Sequence, residues 1–341
     1  MSLVYLGYTT LQLPYNAWGA ELSPDYHVRT RITASAKFFD TTGLVIATII
    51  PAVVLSKAGS SAGDIMDALS LFFLFSLPIC AAIAFTFVPE PEHHVANSKF
   101  EPGKVITLMA GNKSFALVTV AVFAATVAEV FRQTVTVFFA TQVIGVENIG
   151  TVYVFYFAVA LAMIPVWGWI AGRMQKHRAL IVALLIIFAS NIGMFFLQYG
   201  QTTMFTILAM IKGACYGALA LLPGAMIADC ADVDTAHSGE RRQGLFFAVN
   251  AMVQKLGFAL GQGVPLILLS LVGFDAAGQN GPDELFWLSV LYSIPTALIV
   301  LLAILALLPY SLTAERHTEL RAYLGLRESG EDAELPDFLK P

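Results

Sequence analysis

Charged side chains stand inside long apolar runs of this 341-residue chain, and they set the question of what it does. Glu129 and Arg132 lie three residues apart in the middle of one run, a spacing that puts both on one face of a helix and lets them pair. Lys37 and Asp40 repeat that spacing near the end of another run, where the lysine could instead reach polar headgroups. Lys255 is about twelve residues into its run, roughly 18 Å at 1.5 Å per residue, too deep for such a reach. Lys212 adjoins Gly213-Ala214-Cys215-Tyr216-Gly217, a stripe of small residues suited to close helix packing. A charge near the middle of a bilayer costs a few kcal/mol, so each group faces a partner or a water-filled pathway. For Glu129, Arg132, Lys37, Asp40 and Lys212 a structural ion pair and a pathway role both stay open, whereas the depth of Lys255 favours the pathway.

The chemistry open to these groups is binding rather than bond-making. Gly59-Ser60-Ser61-Ala62-Gly63 matches the nucleophile-elbow pattern, but it falls in a short turn between two apolar runs, without the preceding strand that the motif needs. No metalloprotease, phosphate-loop or dinucleotide signature accompanies it. Cys80, Cys215 and Cys230 are odd in number and widely spaced, so they form neither a disulfide framework nor a zinc site. The six histidines, His27, His93, His94, His177, His237 and His317, fall in polar segments and read as solvated loop side chains rather than metal ligands. No enzyme and no cofactor is expected.

The elements that hold these charges are dictated by composition. With 57% hydrophobic and 13% charged residues and a mean hydropathy of +0.73, the chain cannot cover a water-facing globule and needs a lipid solvent. In lipid every backbone polar group must be satisfied within its segment, which leaves helices about 20 residues long. Apolar windows occur near 2–19, 32–56, 65–88, 115–142, 151–172, 179–199, 203–227, 245–273 and 285–308, about nine spans of an all-α polytopic bundle. Pro51, Pro78, Pro165, Pro223, Pro265 and Pro295 fall inside these windows and mark expected kinks. The net charge of −5 provides no basic surface for nucleic acid.

Lysines and arginines are uneven between alternate loops. One side collects Arg29, Arg31, Lys99, Lys104, Lys113, Arg173, Lys176, Arg178, Arg241, Arg242 and the basic residues of the tail, while the other has only Lys57. The positive-inside rule places the first set, and the C-terminus, in the cytoplasm. Two segments also share a layout: Pro14 to Glu21 followed by Asp25, Arg29 and Arg31, and Pro223 to Asp229 followed by Asp232, Asp234, Arg241 and Arg242. The next span after each carries a lysine, Lys37 or Lys255. The offset of about 210 residues suits a repeat of six spans. Between the copies lie two spans, a central loop and three more spans; the three after the loop precede the second copy in its half, so three further spans are expected before the first copy, for twelve in all.

These same segments carry a family resemblance. Leu13-Pro14-Tyr15-Asn16-Ala17-Trp18-Gly19-Ala20-Glu21, continuing to Asp25, Arg29 and Arg31, resembles the fourth helix and following loop of the glycoside/pentoside/hexuronide cation symporters, the melibiose-permease-like branch of the major facilitator superfamily. Met226 to Asp232, Gly239 to Phe246 and Val253 to Gly257 resemble that family's tenth-to-eleventh loop and eleventh helix, and Tyr310 to Arg316 its C-terminal start. The resemblance implies a major facilitator fold represented by helices four to twelve. Residues 1–88 are then the rest of the N-terminal half, 89–114 a cytoplasmic central loop, 115–308 the C-terminal six-helix half and 309–341 a cytoplasmic tail.

It also implies a secondary transporter that couples a sugar or glycoside to a sodium ion or proton by alternating access, as a monomer in a bacterial inner membrane, with membrane lipid around it. The alternative is a lysolipid or other small-solute carrier of the same fold, or a non-transporting fragment or sensor. The family's cation-binding carboxylates lie chiefly on its second helix and on its fourth, where this chain has Gln12 and Asn16. Gln12, Tyr15, Asn16, Lys37, Asp40, Glu129, Arg132 and Lys255 are the expected substrate and ion pathway. The paired carboxylates and arginines, Asp25, Arg29, Arg31, Asp229, Asp232, Arg241 and Arg242, are expected to hold a cytoplasmic gate through ion pairs that form in one state and break in the other.

The orientation has a direct check. In intact cells an impermeant amine reagent should label Lys57 and leave Lys99, Lys104 and Lys176 unmodified; the opposite pattern would invert the topology.

Overall fold

A backbone in hydrocarbon satisfies its own polar groups, and the long apolar runs do so as helices. The computed structural model describes residues 62–88, 111–239, 243–276, 278, 280–329 and 334–339, with scattered positions between 7 and 54. The helices are α1 (Ala62–Phe87), α2 (Lys113–Phe138), α3 (Ile149–Met174), α4 (Lys176–Phe195), α5 (Thr202–Ser238), α6 (Gln243–Leu271), α7 (Pro282–Leu307) and α8 (Ala314–Glu328). A π-helical segment, Phe139–Ile144, continues α2, and a short 3-10 turn, Asp337–Leu339, follows α8. Among the described residues there are no strands, and seven helices are long and apolar enough to cross a membrane. The windows at 2–19 and 32–56 fall almost wholly outside the described residues.

The chain divides into two units, 1–100 and 101–341. In the first, α1 carries Pro78 inside the helix and leaves Phe73, Phe75 and Phe85 more than half exposed, a surface that suits lipid rather than water. In the second, α3 packs on α5, α5 on α4, α4 on α7, α7 on α2 and α2 on α6. Leu298, Leu302 and Leu305 face outward from α7, while Tyr292, Ala303 and Leu307 of the same helix are fully enclosed.

Small residues decide how closely these helices approach. A Cβ on Gly213 of α5 would overlap the Tyr156 carbonyl oxygen of α3, and one on Gly217 would stand 3.0 Å from the Ala160 carbonyl oxygen. The expected small-residue stripe is therefore the seam between α3 and α5. On α6, a Cβ at Gly261 would lie 2.7 Å from Val130 Cβ and 3.0 Å from the Phe131 nitrogen of α2. Trp167 Nε1 donates across the first seam to the Ala214 carbonyl oxygen at 2.6 Å.

Two expectations are corrected, and the tail is found to be folded. The window ending at 227 continues as helix to Ser238, through Pro223, so Asp229, Asp232 and Asp234 are helical residues and not loop carboxylates. The segment after 309 forms α8, whose Leu320 and Leu324 are buried in the same apolar core as Ile227 and Ala231 of α5. His177 is only 8% exposed, with Tyr310 beside it, and His317 Nε2 lies 3.0 Å from Asp232 Oδ2, so neither is a solvated loop histidine.

The seams predict a contrast among glycine substitutions. Gly213→Ala and Gly261→Ala should each cost about 1–3 kcal/mol, because the added methyl must push backbone aside. Gly224→Ala, with open space at its Cβ, should be neutral or gain up to about 1 kcal/mol from helix propensity. Thermal unfolding of the detergent-solubilised protein distinguishes the two outcomes.

Candidate functional site

Glu129 and Arg132 sit on the inner face of α2 as the i, i+3 pair that their spacing implied. The guanidinium holds both carboxylate oxygens: Nη2 bonds Oε1 and Nε is 3.3 Å from Oε2. Two further donors reach Oε1, Gln133 Nε2 at 2.9 Å and Tyr156 Oη of α3 at 3.0 Å. Arg132 Nη1 is 3.3 Å from Thr136 Oγ1, and its Cζ lies 5.8 Å from the centre of the Tyr156 ring. The side chains of Arg132 and Glu129 keep only 6% and 12% of their accessible surface. Such a two-pronged, multiply bonded pair is the form in which a carboxylate and a guanidinium tolerate the loss of water.

Lys212 joins this cluster from α5. It is 2% exposed, bonds Asn191 Oδ1 of α4, and has its ammonium 6.0 Å from the centre of the Tyr292 ring of α7. Tyr292 in turn stacks on Phe139 of the π segment at 4.1 Å, and its hydroxyl finds no hydrogen-bond partner among the described residues. A cavity of about 10 Å³, enough for no more than a water, opens beside Glu129 and Asn191. Thus one carboxylate and two cations share an enclosure made by five helices. The pathway set drawn from the sequence did not include Lys212, Asn191, Tyr156 or Tyr292. The buried charge of Lys212 was the one legible signal, and the others are tyrosines and an amide whose roles emerge only when helices meet.

Lys255 is elsewhere on α6. It is half-buried and makes no hydrogen bond or ion pair with another described residue. Asp40 lies on a short described helical stretch and is exposed. Gln12, Tyr15, Asn16 and Lys37 of the expected pathway, and Asp25, Arg29, Arg31, Arg241 and Arg242 of the expected gate, lie outside the described residues.

A second polar cluster gathers around the remaining two gate residues. Asp229 and Asp232, one turn apart on α5, are 9% and 8% exposed. A single residue, Gln175 with φ +76°, separates α3 from α4 and places Lys176 at the first position of α4. Lys176 Nζ lies 2.8 and 2.6 Å from the two carboxylate oxygens of Asp229. Asp232 meets His317 at 3.0 Å and Arg321 at 3.7 Å, both from α8. Asn112, which caps α2 by accepting from the Phe115 amide, also donates to the Cys230 carbonyl oxygen at 2.8 Å and so ties α2 to this end of α5. Tyr310, beside Cys230, is buried enough that its phenol is held above the ordinary range and stays protonated.

Charges are thus buried within apolar helices at both clusters. Residues 1–314 match the model of the MFS/sugar transport protein family. The chain belongs to that family. An uncharacterized symporter of Synechocystis sp. is 26% identical over 308 residues, which make up 84% of this chain and 56% of that protein. The chain thus spans a little over half the length of the curated relative that it matches. Family membership bears out the all-α major facilitator bundle and the resemblance carried by the Leu13–Arg31 and Met226–Gly257 segments, and it sets the family member apart from enzymes.

The charge balance of the buried cluster makes an asymmetric prediction. Glu129→Gln leaves the Arg132 guanidinium without its carboxylate inside the enclosure and should cost about 3–5 kcal/mol, the usual cost of breaking a buried pair. Arg132→Met leaves the carboxylate with Lys212, Gln133 and Tyr156 nearby and should cost less. Denaturation midpoints of the two variants should therefore fall in the order Arg132→Met above Glu129→Gln.

Proposed function

We propose that the protein is a secondary transporter that carries a sugar or glycoside together with a sodium ion or a proton by alternating access. Its membership of a sugar-transport family and its relative named as a symporter support this reading. The observation that carries it is Lys255, a half-buried cation in a membrane span with no ion-pair or hydrogen-bond partner among the described residues. A lone charge there is costly, and a polar solute or a coupling carboxylate that arrives during the cycle would offset the cost. Gln12, Tyr15, Asn16, Lys37, Asp40, Glu129 and Arg132 belong to the same proposed pathway. No cofactor beyond the coupling ion is required.

Asp229 and Asp232 are proposed to work at the gate with Asp25, Arg29, Arg31, Arg241 and Arg242, through pairs exchanged between the two states. The basic-residue bias orients this gate and the C-terminus to the cytoplasm of a bacterial inner membrane, and a single copy is the working unit. A lysolipid carrier is the competing reading, but the concentration of charge within the spans favours a small polar cargo.

The test is uptake in proteoliposomes by the protein with its expected upstream spans, using a panel of radiolabelled sugars and imposed sodium or proton gradients. Gradient-driven accumulation of at least one sugar is expected, and Lys255→Ala should abolish it while the protein still inserts and folds. Accumulation at the parent rate in that variant removes Lys255 from the pathway. Transport of lysophospholipid and of no sugar would overturn the substrate class.

A further inference from the structure

The C-terminal helix α8 is held against the end of α5 by two kinds of contact. Leu320, fully enclosed, and Leu324, 8% exposed, enter the apolar core that includes Ile227 and Ala231 of α5. Polar contacts surround that seam: Arg327 Nη1 donates to the Ala236 carbonyl oxygen at 3.0 Å, and the chain beyond α8 brings the Leu339 carbonyl oxygen to 3.3 Å from His237 Nε2. Between them, His317 Nε2 stands 3.0 Å from Asp232 Oδ2 and 3.5 Å from Asp229 Oδ1.

The groups facing this imidazole are Asp229 and Asp232 of α5, Lys176 of α4, Gln243 of α6 and Arg321 of α8 itself. Lys176 is committed to Asp229, since its ammonium is within 2.8 Å of both carboxylate oxygens. Arg321 is 3.7 Å from Asp232, beyond a hydrogen bond, and its side chain is 51% exposed, so water screens it. Gln243 is neutral and 3.4 Å away. Among the described residues His317 is therefore the one group within 3.0 Å of the Asp232 carboxylate that can neutralise it. Imidazole is also the side chain whose charge ordinarily changes between pH 5 and 8.

We propose that His317 is a proton-operated clasp that fastens α8 to the end of α5. When charged, it bridges Asp229 and Asp232 with a charge-assisted hydrogen bond. When neutral, it leaves the half-exposed Arg321, 3.7 Å away, as the nearest cation to Asp232 among the described residues, and α8 is retained chiefly by Leu320, Leu324 and the Arg327 contact. Acid fastens the clasp and alkali loosens it. If the transport reading and its orientation hold, the protons sensed are those of the cytoplasm, and the element they restrain is the helix that also carries Lys212 and the gate carboxylates.

Hydrogen–deuterium exchange of the full-length protein in detergent tests the clasp without needing a substrate. Peptides covering α8 are followed in wild type, His317→Gln and His317→Arg, each comparison being made at one pH so that intrinsic exchange cancels. At about pH 5.5, below the usual imidazole titration, wild type should match His317→Arg and exchange about threefold or more slowly than His317→Gln. At about pH 8 it should instead match His317→Gln. An unchanged ratio of wild type to His317→Gln at the two pH values would overturn the proposal. Should both His317 variants fail to fold, Asp232→Asn with His317 retained should exchange α8 about threefold or more faster than wild type at about pH 5.5 and at nearly the wild-type rate at about pH 8; protection equal to wild type at both pH values would equally overturn it. Because exchange of α8 does not depend on transport, a failure here is distinguishable from a failure of the transport reading.

Discussion

Lipid offers no hydrogen bonds, so a charge inside the bundle must be answered by protein groups, and the arrangement of α2 to α7 follows from how the Glu129 carboxylate is answered. Its donors come from its own helix, through Arg132 and Gln133, and from α3, through Tyr156. Tyr156 can supply its hydroxyl because α3 lies close against α5, and that approach is possible because residue 213 has no side chain. Lys212, the neighbour of that glycine, is thereby carried into the same enclosure, where Asn191 of α4 and the ring of Tyr292 of α7 meet it. Close packing and charge compensation are thus one constraint here: a bulkier residue at 213 would disturb the bonding of a carboxylate on a different helix.

At the far end of α5 the same need is met differently. Asp229 and Asp232 lie on the last turns of α5, and each is answered from a neighbouring element: Asp229 by Lys176 at the start of α4, and Asp232 by the histidine and arginine of α8. Leu320 and Leu324 give α8 an apolar reason to be there, and the ion pairs fix which of its faces looks inward.

Much of this was legible in the sequence, and the reasons for what was not are physical. Long apolar runs have few ways to satisfy a backbone in lipid, so seven of the expected spans reappear as helices close to their expected places. The Glu129–Arg132 pair was legible because it is local, set by spacing on one helix. Lys212 with Asn191 was not, since those residues are 21 positions apart and meet only when α4 and α5 pack. The end of α5 was misplaced because hydropathy falls after Ile227, and hydropathy reports where lipid ends, not where a helix does. His317 looked solvated for a related reason: nothing in the spacing of the tail says that α8 lies on a pair of carboxylates. The expected pathway and gate residues of the first 37 positions, with Arg241 and Arg242, fall outside the described residues and rest on the sequence alone.

The length of α5 has a mechanical side. Its 37 residues make a rod of about 55 Å at 1.5 Å per residue, against about 30 Å of hydrocarbon, so a long arm projects beyond the apolar layer. Lys212 lies near the fulcrum of that arm and Asp232 about 30 Å along it, with Pro223 between them. A tilt of about 5° at the fulcrum sweeps the far end through roughly 2.6 Å, taking the rise per residue as before. That displacement is comparable to the 3.0 Å between His317 and Asp232. Were the helix to tilt as a rigid rod about its buried lysine, a movement too small to break the bonds there would be large enough to part an ion pair near its far end.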